Sequence, residues 1–361
     1  MVFSIDFPVS FHNCARMIIL DPIDSAEFIS SNATHVQIHA DGVEKLAHKI
    51  KNALCSGSAG VENWKSQELT PSVANEQAVE WIFVTDLLNF SFWTDSHPHY
   101  EVSFGGKIYT GYWALCAAVN RAVDEGLSLL DANVYKDISE EQMKYVFRSA
   151  NGSEIPLLKE RWMTLQEAGK TLVDRFNGSF MNVIKLCEKS AKKLLELLCQ
   201  YFPSFRDNAT YKGVQVSILK RAQILVGDLW SCFEGKGFGE FHDIDQITAF
   251  ADYRVPQVLV HFGVLSYDKH LTEVVRGGEQ IENGGDLEVE IRGCTLQAIQ
   301  LIVRRTKQLL SERAESEVIS APIAATCNAI LVDNFIWTYR RNHADVIDKS
   351  MPMHKTRCLF Y

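Results

Sequence analysis

Apolar residues recur at helical spacing along most of the chain, and this period constrains the fold more than any other feature. Val43, Leu46, Ile50 and Leu54 form one stripe, and Val79, Ile82 and Phe83 mark a second within 75–88. Residues three and four apart share a helix face, so such spacing predicts helices with one buried side. The same reading predicts an alanine-rich buried helix over 111–122, a helix opened by Ser139, and a longer one after Pro156. Further stripes run over 183–198, through Ile218, Ala222, Leu225 and Leu229, over 296–310, and over 323–339. The lysines of 183–198 fall on the opposite, solvated face.

Strand signals are few. A short strand is expected over 34–38, a hairpin over 100–109 around Gly105-Gly106, and a brief alternation at 288–294. No repeat, low-complexity run or Pro/Ser-rich linker divides the sequence. The expectation is a mainly α protein with a small β-hairpin or sheet, folded as one compact domain over 1–361. Residues 1–40 are turn-rich and read as an N-terminal extension without assigned chemistry.

With 361 residues, 47% of them hydrophobic, the chain can bury a large core. Its formal charge of −9 argues against a long duplex footprint, because gripping a phosphate backbone takes many Lys and Arg contacts. A small anionic ligand fits that balance better. The nine cysteines, from Cys14 to Cys358, stand singly, with no CxxC pair or Cys/His cluster at zinc spacing. They predict buried thiols in a reducing compartment, with no metal. Asp6 and His12 interrupt the N-terminal region, and no run reaches the length of a membrane span, so a cytoplasmic protein is expected.

The unusual chemistry gathers in 243–257, where three acids, two aromatics and an arginine lie among small apolar residues. Asp252 stands in its centre. One reading has Asp252 pairing with Arg254 or capping the helix that Pro256 starts. The other holds it as a pocket carboxylate, with Phe250 or Tyr253 as a stacking wall. Asp86 and Asn89 interrupt an aromatic segment; they can end a helix or face a planar ligand. Asp333 interrupts the apolar face of the last long helix. Lys220 and Arg221 can meet a phosphate, as can His354 and Arg357 in an aromatic tail that predicts docking. The glycines of 234–239 follow a helix instead of a strand, which excludes a dinucleotide loop.

Several blocks together resemble the queuosine salvage family, the queuosine 5′-phosphate N-glycosylases/hydrolases. They are WIFVTDLLNFSFW at 81–93, YTGYWALCAAVNRAVDEG at 109–126, FPSFRD at 202–207, KRAQILVGDLW at 220–230, FADYRVPQ at 250–257, VEIRGC at 289–294 and HKTRCLFY at 354–361. The resemblance implies a helical fold similar to DNA glycosylases. It also implies hydrolysis of queuosine 5′-monophosphate to queuine, which is reused in tRNA modification, and ribose 5-phosphate. No cofactor is implied, no nucleic acid is bound directly, and the oligomeric state is left open.

By that resemblance Asp252 is the catalytic carboxylate and Phe250 lies beside the base, with Tyr253 near it. Asp333 binds the base or its cationic arm, and Asp86 and Asn89 are further base-side candidates. Lys220, Arg254, His354 and Arg357 are the phosphate candidates. Three positions depart from the family pattern: Gln67 stands for a His, Asn334 for a Tyr and Thr338 for an Asp. They bear on substrate preference, and they keep open a non-catalytic queuine carrier. A base-excision enzyme acting on DNA is a further alternative, carried only by fold analogy.

Overall fold

The computed structural model describes residues 19–316 and 327–361. Helices dominate, accompanied by three antiparallel two-stranded sheets. The expected hairpin forms from Glu101–Phe104 and Lys107–Thr110, turning on two glycines with positive φ. Val36–Ile38 pairs with Leu265–Tyr267. A hairpin of Asn208–Tyr211 and Val214–Ser217 has no counterpart among the sequence expectations.

Most helices lie where the apolar period places them, and their ends are chemically marked. Glu76–Leu87 begins after Asn75, whose side chain accepts the Ala78 N–H. Ser139 and Gln142 form a reciprocal capping box at Glu140–Val146. The residues read as a turn-rich extension contain a helix, Pro22–Asn32. It is capped by the Asp21 carboxylate and has proline in its first turn. Cys14, Asp6 and His12 lie outside the described residues.

Three expectations change. The 288–294 segment is not a strand but lies inside the long helix Asp286–Ser316. Glu288, Val289, Glu290, Ile291 and Arg292 are all buried, so burial on every side hides the helical period. Arg292 and Glu288 pair across one helical turn at 2.9 Å. The 183–198 stripe is split into Phe180–Leu186 and Ala191–Tyr201, with Glu188 and Lys189 left-handed between them. Asp243 fixes that break by accepting the Ser190 hydroxyl at 2.7 Å and the Ala191 N–H at 2.5 Å. The last long helix runs Ala329–Asn342, starting later than expected because Asn328 caps it; residues 323–326 lie outside the described ones.

Two large apolar clusters fill the interior. One joins Trp81, Phe83, Leu115, Phe180 and Leu225, and the other joins Leu46, Val258, Ile299 and Val332. The Lys220–Cys232 helix and the 247–251 segment feed both clusters or their edges. The tail docks as expected. Ser91 donates its N–H to the Tyr361 carbonyl at 2.8 Å, and the Trp93 indole donates to the Thr356 carbonyl at 3.0 Å.

Candidate active site

A cavity of about 680 Å³ opens where these elements meet. The Lys220–Cys232 helix presents Lys220, Ile224 and Asp228 to it, successive residues of one face. The segment after it contributes Phe250, Asp252, Tyr253 and Arg254, and the last long helix contributes Asp333, Asn334, Trp337, Thr338 and Arg340. Aromatic side chains of Trp64, Phe92, Tyr112 and Trp113 form much of the remaining wall, and Met353 and Tyr361 bring in the tail.

Local chemistry fixes these positions. Leu219 is left-handed, and Asp207 accepts the Lys220 N–H at 3.0 Å, so the helix starts with Lys220 turned inward and buried. Its ammonium donates to the Asn89 side-chain oxygen at 3.2 Å and to the Asn89 carbonyl at 3.4 Å. Gly227 lies against Phe250: a Cβ there would stand 2.6 Å from the ring's Cζ. Absence of a side chain at 227 therefore makes room for the Phe250 ring.

Asp252 combines the two readings made of it. Its Oδ1 accepts the backbone N–H groups of Arg254 at 2.6 Å and Val255 at 3.1 Å, capping the entry of Val255–His261. The other oxygen has no hydrogen-bond partner among the described residues, and Asp252 lines the cavity. The Arg254 guanidinium does not pair with it; it reaches Gln257 at 3.0 Å and Asp348 at 3.5 Å.

Asp333 accepts the Phe250 N–H on Oδ2 at 2.9 Å, which ties the last long helix to the Phe250–Asp252 segment. Burial, with Asp252 adding to it, pushes its carboxyl up to about 7, against the lowering effects of the Phe250 N–H and Lys220. Burial likewise lowers the Lys220 ammonium, although Asp252, Asp86 and Asp333 support its charge. Desolvation thus opposes the charges of both Asp333 and Lys220.

The remaining predicted residues divide. Asn89, Gln67, Tyr253, Asn334 and Thr338 line the cavity, Thr338 at its exposed edge. Asp86 lies behind the wall, held by Asn89 at 3.2 Å and pushed up to about 7 by burial; its Oδ2 is buried without a hydrogen-bond partner among the described residues. Arg221 is buried and spends its guanidinium on the Leu87 and Ser204 carbonyls. His354 and Arg357 are not brought to the cavity. His354 is buried beside Tyr361, and desolvation and the nearby Arg292 lower it to about 3, leaving it neutral. Arg357 stacks over Trp93 at 3.7 Å.

Among the charged cavity residues that the sequence reading did not single out are Asp228 and Arg340. Asp228 was hidden within a strongly apolar helix; a lone acid at the i+8 position from Lys220 was the available signal. Arg340 lay in a run of surface-like arginines. It shares Asp348 with Arg254, at 2.7 and 2.8 Å, so two guanidinium groups face the cavity against one carboxylate. Among the described residues no group of three His, Cys, Asp or Glu is placed to hold a metal ion.

Comparison with known proteins adds a consistent picture. A family model described as queuosine salvage protein matches residues 69–361. A Bos taurus protein is 43% identical over 345 residues, covering 95% of this chain and 99% of its own length. A Schizosaccharomyces pombe protein is 36% identical over 358 residues, with 94% and 99% coverage. One from Sphaerobacter thermophilus is 36% identical over 333 residues, with 92% and 95% coverage. All three carry the name queuosine 5′-phosphate N-glycosylase/hydrolase.

Proposed function

The chain belongs to the queuosine salvage protein family, and from that premise we propose that its cavity hydrolyses the N-glycosidic bond of queuosine 5′-monophosphate. The products are queuine and ribose 5-phosphate. The observation that carries the reading is the placement of Asp252 on the cavity, beside Phe250 and within electrostatic reach of Lys220 and Asp333.

Cleavage of the bond leaves positive charge on the ribose, with an oxocarbenium-like transition state. Asp252 is fixed by two backbone N–H groups on one oxygen, so its charge faces the reacting carbon without reorganising. Water adds its oxygen to the ribose carbon, and a proton goes to the departing ring nitrogen. Queuine is a 7-deazapurine and has no N7 to protonate, which places more of the burden on the carboxylate. Phe250 stacks on the base, with Tyr253 near it. Asp333 keeps Oδ1 for the guanine-like N–H edge, since the Phe250 N–H occupies Oδ2. Asn89, Gln67, Asn334 and Thr338 complete the base side of the wall, with Asp86 behind Asn89. Lys220 and Arg254, joined by Arg340, hold the phosphate.

On this reading the chain works as one unit, because the wall draws on residues from Trp64 to Tyr361. The eight described cysteines form no disulfide, which suits a cytoplasmic protein. No helix among the described residues is long and apolar enough to cross a membrane.

The test is mass spectrometry of products from queuosine 5′-monophosphate with the wild type and Asp252→Asn. Queuine release by the wild type alone supports the reading. Tight queuine binding with no release by either protein would replace it with a carrier.

A further inference from the structure

Asp228 has no role in the reaction described so far, yet it lines the same cavity and is only 7% exposed. The Trp64 side chain lies near enough to favour its charged form, and no ion pair among the described residues includes it. Asp86, with its unpartnered buried Oδ2, is the acid that acts on it most strongly. Tyr112 lies within electrostatic reach of both acids and also lines the cavity. This end of the cavity is therefore acidic and aromatic-walled, and Lys220, about two turns away, is the cation that acts on Asp228. A buried carboxylate in that state is costly until a positive group arrives, and aromatic faces favour the same guest.

The register of the helix gives this end a direction. Lys220 and Asp228 share one face but stand two turns apart, about 12 Å along the axis. Of the charged neighbours, Asp252 acts most strongly on Lys220, so the Lys220 end is the ribose and phosphate end. Gly227 packs on Phe250, so the ring set beside the base lies level with Asp228, the next residue, and about two turns from Lys220. The phosphate then lies toward Lys220, and the base with whatever extends from it toward Asp228.

We propose that Asp228 is the specificity-determining residue for the positively charged aminomethyl arm of the base, receiving its ammonium opposite the Lys220 end. This rests on the orientation given under the proposed function. Queuine carries the arm on its 7-position, remote from the glycosidic nitrogen. A neutral 7-substituent leaves Asp228 unpaired and forfeits the gain. Selectivity then comes from a charge already waiting in the wall, and Asp228 itself takes no part in bond cleavage.

The test measures binding of two free bases by calorimetry: queuine, and 7-cyano-7-deazaguanine, whose 7-substituent is neutral. Wild type is expected to prefer queuine by at least about 30-fold, the scale set by removing one partner of a buried charge pair. Asp228→Asn, of nearly the same shape, is expected to bring the two affinities within about threefold, mainly by weakening queuine. A wild-type ratio near one, or a ratio unchanged in Asp228→Asn, would overturn the assignment. The wild-type ratio decides alone should the variant fail to fold. Because the readout is binding, absence of turnover on queuosine 5′-monophosphate would count against the hydrolase reading and leave this ratio intact.

Discussion

Arg292 Nε donates to the Ala251 carbonyl at 2.9 Å, one residue before Asp252. The same guanidinium forks onto Asp207 at 2.9 and 2.5 Å, bonds Glu288 at 2.9 Å, and lies 4.0 Å from the centre of the Tyr361 ring. Asp207 in turn caps the helix that carries Lys220 and Asp228. One buried side chain therefore sets the relative placement of the candidate catalytic carboxylate, the helix face and the tail.

Arg292→Ala is expected to destabilise the fold by about 3–5 kcal/mol, because two buried carboxylates lose their cation. Arg292→Lys keeps the charge but cannot hold the fork and the Ala251 carbonyl together. It is expected to lower kcat more than its loss of urea midpoint accounts for. Equal kcat in a folded Arg292→Lys protein would separate this residue from Asp252.

Asp252→Asn retains an acceptor for the Arg254 and Val255 N–H groups while removing the charge. Its kcat should fall by about 10²–10³ or more, with little change in Tm. Asp252→Ala should lose the same activity and about 1 kcal/mol of stability in addition, through the missing cap. Steady-state kinetics and thermal melts of both variants check the division.

Gly227→Ala places a methyl group where the Phe250 ring sits. An expected loss of about 1–3 kcal/mol follows from overpacking. The displaced ring should also raise KM for the nucleotide. A variant with normal KM would show that Phe250 does not hold the base.

Asp86 gives a pH signature to stability. Its carboxyl is raised to about 7 in the folded protein by burial, above its ordinary 3.8. Between these values the folded state holds a proton that the unfolded state has lost. Stability is therefore fully supported below about 4, falls as pH rises, and has lost this contribution above about 7, by up to about 1.4 kcal/mol per pH unit. Asp86→Asn should flatten that fall, although Asp333, also near 7, keeps part of it. Urea midpoints from pH 4.5 to 7.5 measure it, and parallel curves for the two proteins would contradict the burial account.

Helical period in the sequence located most of the elements because one-sided helices advertise their buried face. It failed where burial is all-round, as at Val289 and Ile291, whose alternation imitates a strand. It also failed at Glu188 and Lys189, where an apolar stripe continues across a break that a distant Asp243 fixes. The 243–257 stretch and Asp333 were legible as site candidates because acids inside apolar runs need a reason. Asp228 had the same property, but neighbours such as Leu225, Val226 and Leu229 made its helix look like pure core. The fate of His354 could not be read at all, since its neutrality depends on Arg292 and complete burial.

Met353 and Tyr361 stand in the cavity wall, and Tyr361 also receives the Ser91 N–H. During synthesis, a ribosome that has delivered Asp252 and Asp333 has still not supplied this part of the enclosure. A nascent chain can assemble its helices early, but this part of the cavity wall is missing until Met353 and Tyr361 leave the exit tunnel. Completion of the cavity wall is therefore a late event of synthesis, later than the delivery of Asp252 and Asp333.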